Sequence, residues 1–276
     1  MVSREIIVEY TEKLKNVTNL PFIDLMAMLE HVTGKDKLFF LTHADYEIPP
    51  DQLEMFRKMA DKRLTGMPLA YVLRRKEFMS LPFYVDERVL IPRPDTECIV
   101  EKIIASKREY AYVLDIGTGS GCIAIALKKY MGHITMDAVD ISKDALEVAQ
   151  KNARDNEVDV RFMELDILNC EALPRQYDII VSNPPYIRTG VMEHLSNNVR
   201  DFEPRTALDG GEDGLAHYRK ILPLAKRSLA RSGQLYLELG YDQYDALQKL
   251  ALEHGFTKID AIYDLSKIKR GMICSL

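Results

Sequence analysis

The sequence predicts an α/β fold in which a parallel sheet flanked by helices follows a small helical bundle and a β-hairpin. Three observations predict it. Apolar residues recur at helical spacing in the first quarter of the chain, prolines punctuate a short β-rich stretch, and β-branched runs then alternate with amphipathic segments to the end. Such alternation is typical of βαβ units with helices on both faces of a buried sheet.

The N-terminal bundle is indicated by apolar residues that recur every three or four positions. Gly34, the pair Pro49 and Pro50, and Gly66 stand where the helices should end. We therefore assign residues 1–75 to a helical domain. The recurring apolar residues are Ile6, Tyr10, Leu14, Phe22, Met26, Leu29, Leu53, Phe56, Ala60 and Leu64.

A short hairpin is expected over residues 76–94, where the sequence reads EFMSLPFYVDERVLIPRP from residue 77. The stretch mixes β-branched and aromatic residues around Pro82 and closes on Pro92 and Pro94, a pattern typical of a β connector. We assign it as the linker between the two domains.

The strand and helix alternation occupies residues 95–276. Strands are predicted at YVLDIG, TMDAVD, VRFMEL, YDIIVS, GQLYLEL, FTKIDAIYD and GMICSL, with one antiparallel strand at the end, and helices at 120–131, 143–154 and 244–253. A polar segment runs from Ile187 to Asp213. Loops of that length in compact domains are usually functional.

Composition limits the classes of function. The chain has 276 residues, is 47% hydrophobic and carries a net charge of −5, so we expect a globular protein without stable nucleic-acid binding. It has no leader-like or bilayer-length apolar run, which favours a cytoplasmic location without membrane insertion. The cysteines are scattered and form no CxxC pair or zinc-ligand spacing, so no metal site is predicted.

The glycine-rich segment DIGTGSG, residues 115–121, follows a strand and opens a helix, which favours a nucleotide-like ligand. The sixth position of the dinucleotide fingerprint is Cys122 instead of glycine, and no Walker lysine is present, so the ligand should lack a pyrophosphate. The predicted cofactor-binding residues here are Gly117, Thr118, Gly119, Ser120 and Gly121. A GxGxG segment can also be a simple tight turn.

Two carboxylates follow the next strands. Asp140 ends the second strand, where it can accept hydrogen bonds from ribose hydroxyls. Asp166 could bond an exocyclic amine, and Ile167 and Leu168 could offer an apolar face to a purine. An aspartate at a strand end is often only a helix cap. Three such features on successive strands nevertheless favour a nucleoside cofactor with a sulfonium and an amino-acid tail.

The tetrapeptide Asn183-Pro184-Pro185-Tyr186 follows the fourth strand, at the same sheet edge as the glycine loop. Proline lacks an N–H and restricts the residue before it, so the stretch is stiff and presents carbonyl acceptors. The Asn183 amide oxygen and the Pro184 carbonyl could hold the two hydrogens of a planar –NH2, with Tyr186 packed on it. Such positioning would favour attack by a weakly nucleophilic amide nitrogen on an electrophilic methyl. These four residues are the predicted catalytic residues.

Taken together, LDIGTGSG, Asp140, VSNPPYI, DFEPRTALDGGEDGL and LPFYVDERVLIPRPDTE resemble the release factor glutamine methyltransferases, the PrmC/HemK family, over nearly the whole chain. NPPY alone is shared with nucleic-acid amino-methyltransferases, but its combination with EPRTAL and IPRPDTE is specific. Two positions depart from the family pattern: Phe202 stands where tyrosine is common, and DLSKIKRG replaces a more glycine-containing segment.

The resemblance implies a Rossmann-like class I methyltransferase domain that uses S-adenosyl-L-methionine. Its substrate would be the glutamine of the GGQ motif in class 1 peptide chain release factors, methylated at the side-chain N5, which connects the activity to translation termination. The resemblance makes the helical domain the substrate-recognition domain. It also implies that Asn183 to Tyr186, Glu203 and Arg93 contact the substrate, with Glu97 and the neighbouring Pro204 and Arg205 along the substrate channel.

Two other functions compete with this one. A nucleic-acid amino-methyltransferase acting on adenine N6 or cytosine N4 would hold a flipped base in the same pocket. The acidic net charge opposes it, although basic clusters occur at Arg57-Lys58, Lys62-Arg63 and Arg74-Arg75-Lys76. A noncatalytic assembly factor that retains a cofactor fold is disfavoured by the intact GTGSG and NPPY segments. We expect a monomer.

Overall fold

Two units make up the chain in the computed structural model, which describes residues 1–106 and 111–276. The helical unit comprises Met1–Arg75 together with Ser196–Phe202, and the sheet unit comprises Lys76–Leu195 and Glu203–Leu276. The predicted hairpin thus falls within the sheet unit by its contacts. The functional division into recognition domain, linker and methyltransferase domain stays a prediction.

The helices are α1 (Ser3–Leu14), α2 (Pro21–Thr33), α3 (Lys37–Thr42), α4 (Pro50–Leu64), α5 (Leu69–Leu73), α6 (Pro94–Ala105), α7 (Cys122–Tyr130), α8 (Lys143–Asp155), α9 (Asn197–Arg200), α10 (Ala216–Ser228) and α11 (Tyr244–Glu253). The strands are β1 (Lys76–Phe78), β2 (Leu81–Phe83), β3 (Tyr112–Ile116), β4 (Thr135–Asp140), β5 (Arg161–Glu164), β6 (Tyr177–Ser182), β7 (Leu229–Glu238), β8 (Lys258–Tyr263) and β9 (Lys269–Ser275).

The helical unit is organised by proline starts and a glycine stop. Pro21 and Pro50 occupy the first positions of α2 and α4, where a missing N–H costs nothing, and α2 ends on Gly34 at φ +66°. The predicted apolar repeats form its core, with Ile6 and Phe56 fully buried. The bundle prediction is therefore confirmed.

A seven-stranded sheet forms the centre of the sheet unit, in the order β5-β4-β3-β6-β7-β9-β8. The first five of these strands pair in parallel, and β9 is antiparallel to both β7 and β8. The central parallel strands β3 and β6 are buried over most of their length, as expected for strands covered on both faces. The predicted antiparallel strand is confirmed, but it inserts between β7 and β8, since a short turn folds β9 back onto β8.

The order of strands around β3 positions the site. β4 pairs on one side of β3 and β6 pairs on the other, so the chain reverses its direction of travel across the sheet at this strand. Ile116 of β3 stands opposite Ser182 of β6, and the Ser182 hydroxyl donates to the Ile116 carbonyl at 2.7 Å. Gly117 and Asn183, the next residues of the two strands, therefore begin side by side at the carboxyl edge, where such sheets bind ligands.

The hairpin is present but shorter than the 76–94 stretch. β1 and β2 pair antiparallel through a two-residue turn at Met79 and Ser80, both with positive φ. Residues 84–93 leave the strand conformation. Their N–H groups bond elsewhere instead: Tyr84 donates to Asn152 at 2.7 Å and Ile91 donates to Glu203 at 3.2 Å.

The polar segment from Ile187 to Asp213 is not a plain loop. It contains 3₁₀ turns at Thr189–His194 and Arg205–Ala207 and the short α9, and its ends meet in a parallel bridge between Ile187 and Asp209. Within the ranges 1–106 and 111–276, no helix has both the length and the apolarity to cross a bilayer.

Candidate active site

An open cavity lies at the carboxyl edge of the sheet, and the empty space within it, including the part open to solvent, is about 870 Å³. It is lined by the segments that follow β3, β4, β5 and β6 and by the start of α10. Of the predicted cofactor-binding residues, those on its wall are Gly117, Gly119, Asp140, Asp166, Ile167, Leu168 and Asn183, accompanied by Pro184 and Pro185.

The glycine loop provides space rather than free amides. Gly117 and Gly119 both have positive φ, and a Cβ built on either would meet no atom within 4 Å. The N–H groups of Gly117 and Thr118 both donate to the Val139 carbonyl, at 2.9 and 3.0 Å. The loop is therefore pinned to β4 by its own hydrogen bonds, and its glycines let a ligand approach the backbone closely.

The other three residues of the loop have structural contacts instead. Thr118 and Ser120 are buried, and neither lies on the cavity wall. At Gly121 a Cβ would meet Ile125 Cδ1 at 2.9 Å and Ala149 Cβ at 3.1 Å, so this glycine allows α7 and α8 to pack closely. Cofactor contact by these three residues stays a prediction.

Asp140 is the acidic centre of the cavity. Its Oδ2 accepts from the Gly119 N–H at 2.8 Å and its Oδ1 accepts from the Ser142 N–H at 3.0 Å. Burial raises the pKa of the carboxyl, and these backbone N–H donors oppose that rise. Each carboxylate oxygen has a second lone pair, so Asp140 can hold the loop and still accept from ligand hydroxyls.

The Asp166 carboxylate forms hydrogen bonds within its own loop. Its Oδ1 accepts from the Leu168 N–H at 2.9 Å and its Oδ2 from the Asn169 side-chain amide at 2.7 Å, and these bonds lower its pKa. Ile167 and Leu168 are held on the cavity wall as a result. Asp166 therefore stabilises a turn and caps no helix, since the described residues between β5 and β6 form no helix; a contact to an exocyclic amine stays a prediction.

The Asn183 side-chain amide is held in place by a hydrogen bond to α6. Its Nδ2 donates to the Thr96 hydroxyl of α6 at 3.3 Å. Within residues 1–106 and 111–276, no hydrogen bond reaches Asn183 Oδ1 or the Pro184 carbonyl. The two predicted acceptors are therefore both available, on or beside the cavity wall.

Tyr186 lies beyond the cavity wall. Its hydroxyl donates to Glu238 Oε1 across 3.4 Å, and its carbonyl accepts from the Gln243 side chain at 2.9 Å. Burial raises its pKa, with the Glu238 charge adding to the effect. The ring is thus fixed at the end of the NPPY segment, and Gly210 allows the backbone to approach it, because a Cβ there would lie 2.7 Å from the Tyr186 Cα.

Arg93 and Glu203 form an ion pair of 2.6 Å, and Glu203 also accepts from the Ile91 N–H at 3.2 Å. Its side chain is 1% exposed, so this carboxylate joins the IPRP segment to the residues after α9. Neither residue lines the cavity. Glu97 accepts instead from the Met79 N–H at 2.7 Å, which ties α6 to the hairpin turn.

Sequence reasoning missed several residues that the structure places at or behind the cavity. His217 lines it, with a buried Nδ1 that has no hydrogen-bond partner in the described part of the chain, and burial lowers its pKa. Asp115 lies under the glycine loop, where its Oδ2 accepts from the Thr118 hydroxyl at 2.7 Å. Glu238 lies behind Tyr186. Asp115 and Glu238 could have been found from the sequence, because each is a single charged residue within an apolar strand, LDI and LYLEL respectively.

Two family models match the chain. The Methyltransferase small domain matches residues 95–200, and the PrmC N-terminal domain matches residues 5–73. Together the matched ranges fall on most of the helical unit and on the first part of the sheet unit, including Gly117, Asp140 and Asn183.

Curated relatives agree with these matches. The chain is 37% identical over 250 residues to the release factor glutamine methyltransferase of Agrobacterium fabrum, covering 88% of this chain and 86% of that protein. It is 46% identical over 203 residues to the protein of the same name from Flavobacterium psychrophilum, covering 70% and 71%. A solved methyltransferase from Pyrococcus furiosus shares the fold, with a TM-score of 0.53, 18% identity, and coverage of 72% of this chain and 91% of that one.

The cofactor of this methyltransferase is S-adenosyl-L-methionine, and the residues present fit it. Asp140 offers acceptors suited to ribose hydroxyls, Ile167 and Leu168 offer an apolar wall suited to a purine, and Gly117 and Gly119 leave open space beside the backbone. The carboxylates of Asp140 and Asp166 on the wall suit a ligand that carries positive charge. With two family models and relatives matched over most of their length, the chain belongs to the release factor glutamine methyltransferase family.

Proposed function

We propose that this protein methylates the side-chain N5 of the glutamine in the GGQ motif of class 1 peptide chain release factors. One observation carries the proposal: Asn183 Oδ1 and the Pro184 carbonyl, which receive no hydrogen bond from the residues that the structure describes, lie beside the cavity that contains Gly117, Gly119 and Asp140. The names of the relatives support the same substrate.

S-adenosyl-L-methionine supplies the methyl group as an electrophilic carbon on a sulfonium. The work left to the protein is to orient an amide nitrogen whose lone pair is delocalised. Asn183 Oδ1 and the Pro184 carbonyl would each accept one N–H of the substrate –NH2, and Tyr186 would pack against the planar amide. The same acceptors stabilise the positive charge that develops on the nitrogen. The methylated nitrogen is acidic enough to release its proton to water, so no strong base is needed.

The rest of the site follows from the same proposal. We assign cofactor binding to Gly117–Gly121, Asp140, Asp166–Leu168 and Asn183, and substrate contact to Asn183–Tyr186, Arg93 and Glu203. We assign recognition of the release factor to the helical domain, residues 1–75, with residues 76–94 as linker to the methyltransferase domain. We also assign it as a monomer in the cytoplasm. The acidic net charge supports the absence of a stable complex with nucleic acid.

Mass spectrometry tests the substrate directly. The purified protein is incubated with S-adenosyl-L-methionine and a class 1 release factor, and the GGQ peptide is sequenced. We expect a mass gain of one methyl on the glutamine, and none on a release factor that carries asparagine in its place. DNA and RNA are treated in parallel. A methylated base with an unmodified GGQ peptide would overturn the proposal in favour of a nucleic-acid amino-methyltransferase.

A further inference from the structure

A buried glutamine ties three backbone segments together at the end of the NPPY tetrapeptide. Gln243 occupies the N-cap position of α11 and is 4% exposed. Its Nε2 donates to the Tyr186 carbonyl at 2.9 Å and to the Gly214 carbonyl at 3.2 Å. Its Oε1 accepts from the Gly240 N–H at 2.9 Å. One side chain therefore joins the backbone that follows β6 to the segment before α10 and to the turn after β7.

These three hydrogen bonds allow only one orientation of the Gln243 amide. Its –NH2 group has two protons to donate and meets two carbonyls, and its oxygen meets one N–H. Rotating the amide by half a turn would set its oxygen against the carbonyls of Tyr186 and Gly214. It would also set the –NH2 group against the Gly240 N–H, and polar groups left unpaired inside a protein are costly. The side chain is therefore fixed by its partners.

Glycine is required at two of the three contact points, because the backbone approaches Gln243 closely there. Gly214 has φ +76°, and a Cβ on it would overlap the Tyr186 carbonyl and lie 2.5 Å from Gln243 Nε2. A Cβ on Gly240 would lie 2.9 Å from Gln243 Oε1. The absence of side chains on these two residues allows the close contact. The packing around the amide therefore limits any displacement of Tyr186.

The NPPY segment needs such an anchor because its two prolines cannot donate hydrogen bonds. Pro184 and Pro185 have no N–H, so their backbone nitrogens bond to nothing else in the protein. The segment is held at its start by Ser182, whose hydroxyl donates to the neighbouring strand β3. The first residue after the prolines is Tyr186, whose carbonyl is the group that Gln243 holds. The proposed acceptors of the substrate –NH2 lie between these two anchored ends.

We propose that Gln243 is a positioning residue for methyl transfer. By holding the Tyr186 carbonyl, it fixes the backbone that presents Asn183 Oδ1 and the Pro184 carbonyl to one substrate nitrogen. The inference rests on the proposed function, because it concerns the placement of the acceptors that the glutamine –NH2 requires. Gln243 acts on them through the backbone, from outside the cavity wall. A misplacement of about 1 Å at a reacting centre can lower a rate by about 100-fold.

Gln243→Met tests the inference, because methionine is also long and unbranched but has no amide. The start of α11 should persist, since the Gln243 N–H donates to the Gly240 carbonyl and the Leu247 N–H to the Gln243 carbonyl through backbone atoms alone. We expect the rate of methyl transfer to a release factor, measured in a single turnover, to fall roughly 10- to 100-fold. The Kd for S-adenosylhomocysteine and the KM for the release factor should change far less, because Asp140, the glycine loop and the helical domain are untouched.

Gln234→Met is the matched control for the loss of a hydrogen-bonded glutamine. Gln234 lies on β7, where its Nε2 donates to the Ser275 hydroxyl at 3.1 Å and its Oε1 accepts from the Tyr236 hydroxyl at 3.1 Å. Both partners belong to β7 and β9, so the substitution removes side-chain hydrogen bonds within the sheet. We expect a wild-type rate of methyl transfer in this variant, whatever change its free energy of unfolding shows.

Gly240→Ala covers the case in which Gln243→Met folds poorly. The added Cβ would lie 2.9 Å from Gln243 Oε1, the far end of a flexible side chain, so the protein can accommodate it by moving the amide. That movement draws Nε2 away from the Tyr186 carbonyl. We expect the rate of methyl transfer to fall in this variant too, by a smaller factor than in Gln243→Met, with the Kd for S-adenosylhomocysteine nearly unchanged.

Three results would overturn the inference. They are a wild-type rate in folded Gln243→Met or in Gly240→Ala, an equal fall in rate in Gln234→Met, and failure of both the Gln243 and the Gly240 variant to fold, which would indicate a role in folding alone. An unmethylated GGQ peptide with the wild-type enzyme would instead refute the proposed function, so the two failures are distinguishable.

Discussion

Asp140 Oδ2 accepts a hydrogen bond of 2.8 Å from the backbone N–H of Gly119, across the gap between two neighbouring strand ends. The side chain thereby fixes the glycine loop after β3 from the end of β4. Because Asp140 also lines the cavity, the residue that shapes the loop is the one expected to hold the ribose.

Replacing Asp140 with alanine should weaken cofactor binding. The substitution removes a charged acceptor from the cavity and releases the Gly119 N–H, and hydrogen bonds to charged groups contribute about 1.5–3 kcal/mol. We expect the Kd for S-adenosylhomocysteine, measured by calorimetry, to rise about tenfold or more. Asp144→Ala, an equal charge change at an exposed position on α8, should leave the Kd unchanged. Equal Kd values for Asp140→Ala and wild type would exclude the ribose contact.

Replacing Asn183 with alanine should separate chemistry from cofactor binding. The acceptor for the substrate –NH2 is lost, and removal of one preorganised polar group at a reacting centre typically costs about 10²–10³ in kcat. The Kd for S-adenosylhomocysteine should rise far less than in Asp140→Ala, since Asp140 and the glycine loop are untouched. Single-turnover methylation of a release factor measures the rate of methyl transfer. Normal turnover by this variant would contradict the role of Asn183 as an amide clamp.

Asp115 should make stability depend on pH. Burial raises its pKa from 3.8 to about 7, against the Thr118 hydrogen bond. The folded state therefore holds a proton that the unfolded state releases, so the contribution to stability is complete below about pH 4 and is lost as pH rises to about 7. Urea unfolding at pH 5 and pH 8 should show this loss. In Asp115→Asn the difference between the two pH values should shrink, leaving the part due to Glu238, whose pKa is also raised to about 7. An unchanged difference would show that Asp115 ionises normally.

Asp24 and Arg63 form a buried ion pair of 2.8 Å within the helical unit, with side-chain exposures of 9% and 7%. Asp24→Ala leaves a guanidinium buried without its carboxylate and should lower the free energy of unfolding by about 3–5 kcal/mol. The double replacement Asp24→Leu with Arg63→Met should recover most of that loss, because it removes both charges. Denaturant unfolding measures the free energy of unfolding of the single variant and of the double variant.

The control for this pair is Asp45→Ala, which removes the partner of Arg4 in an ion pair at the exposed surface. Surface pairs contribute little, so its midpoint of unfolding should match the wild type. Equal destabilisation by Asp45→Ala and Asp24→Ala would mean that burial does not determine how much an ion pair contributes to the free energy of unfolding.

Much of the fold was predictable because its signals are local. The strand TMDAVD was expected and β4 spans Thr135–Asp140, and the helix expected at 244–253 is α11. Side chains on one face repeat every two residues in a strand and every 3.6 residues in a helix, so the pattern of apolar residues within each segment is enough to predict these elements. The carboxyl-edge placement of Gly117, Asp140 and Asn183 followed in turn, since parallel strands end at a common edge.

The sequence by itself determined the fold class, the family and the segments that meet at the cavity, because those depend on residue type and spacing. Only the tertiary structure decided which atoms are already engaged. The loop amides of Gly117 and Thr118 are bonded to Val139, and Glu97 is bonded to the hairpin. Asn183 and Thr96, 87 positions apart in the numbering, are joined by a hydrogen bond of 3.3 Å. Such pairings join residues distant in the chain through packing of α6 near the end of β6, and no local pattern encodes them.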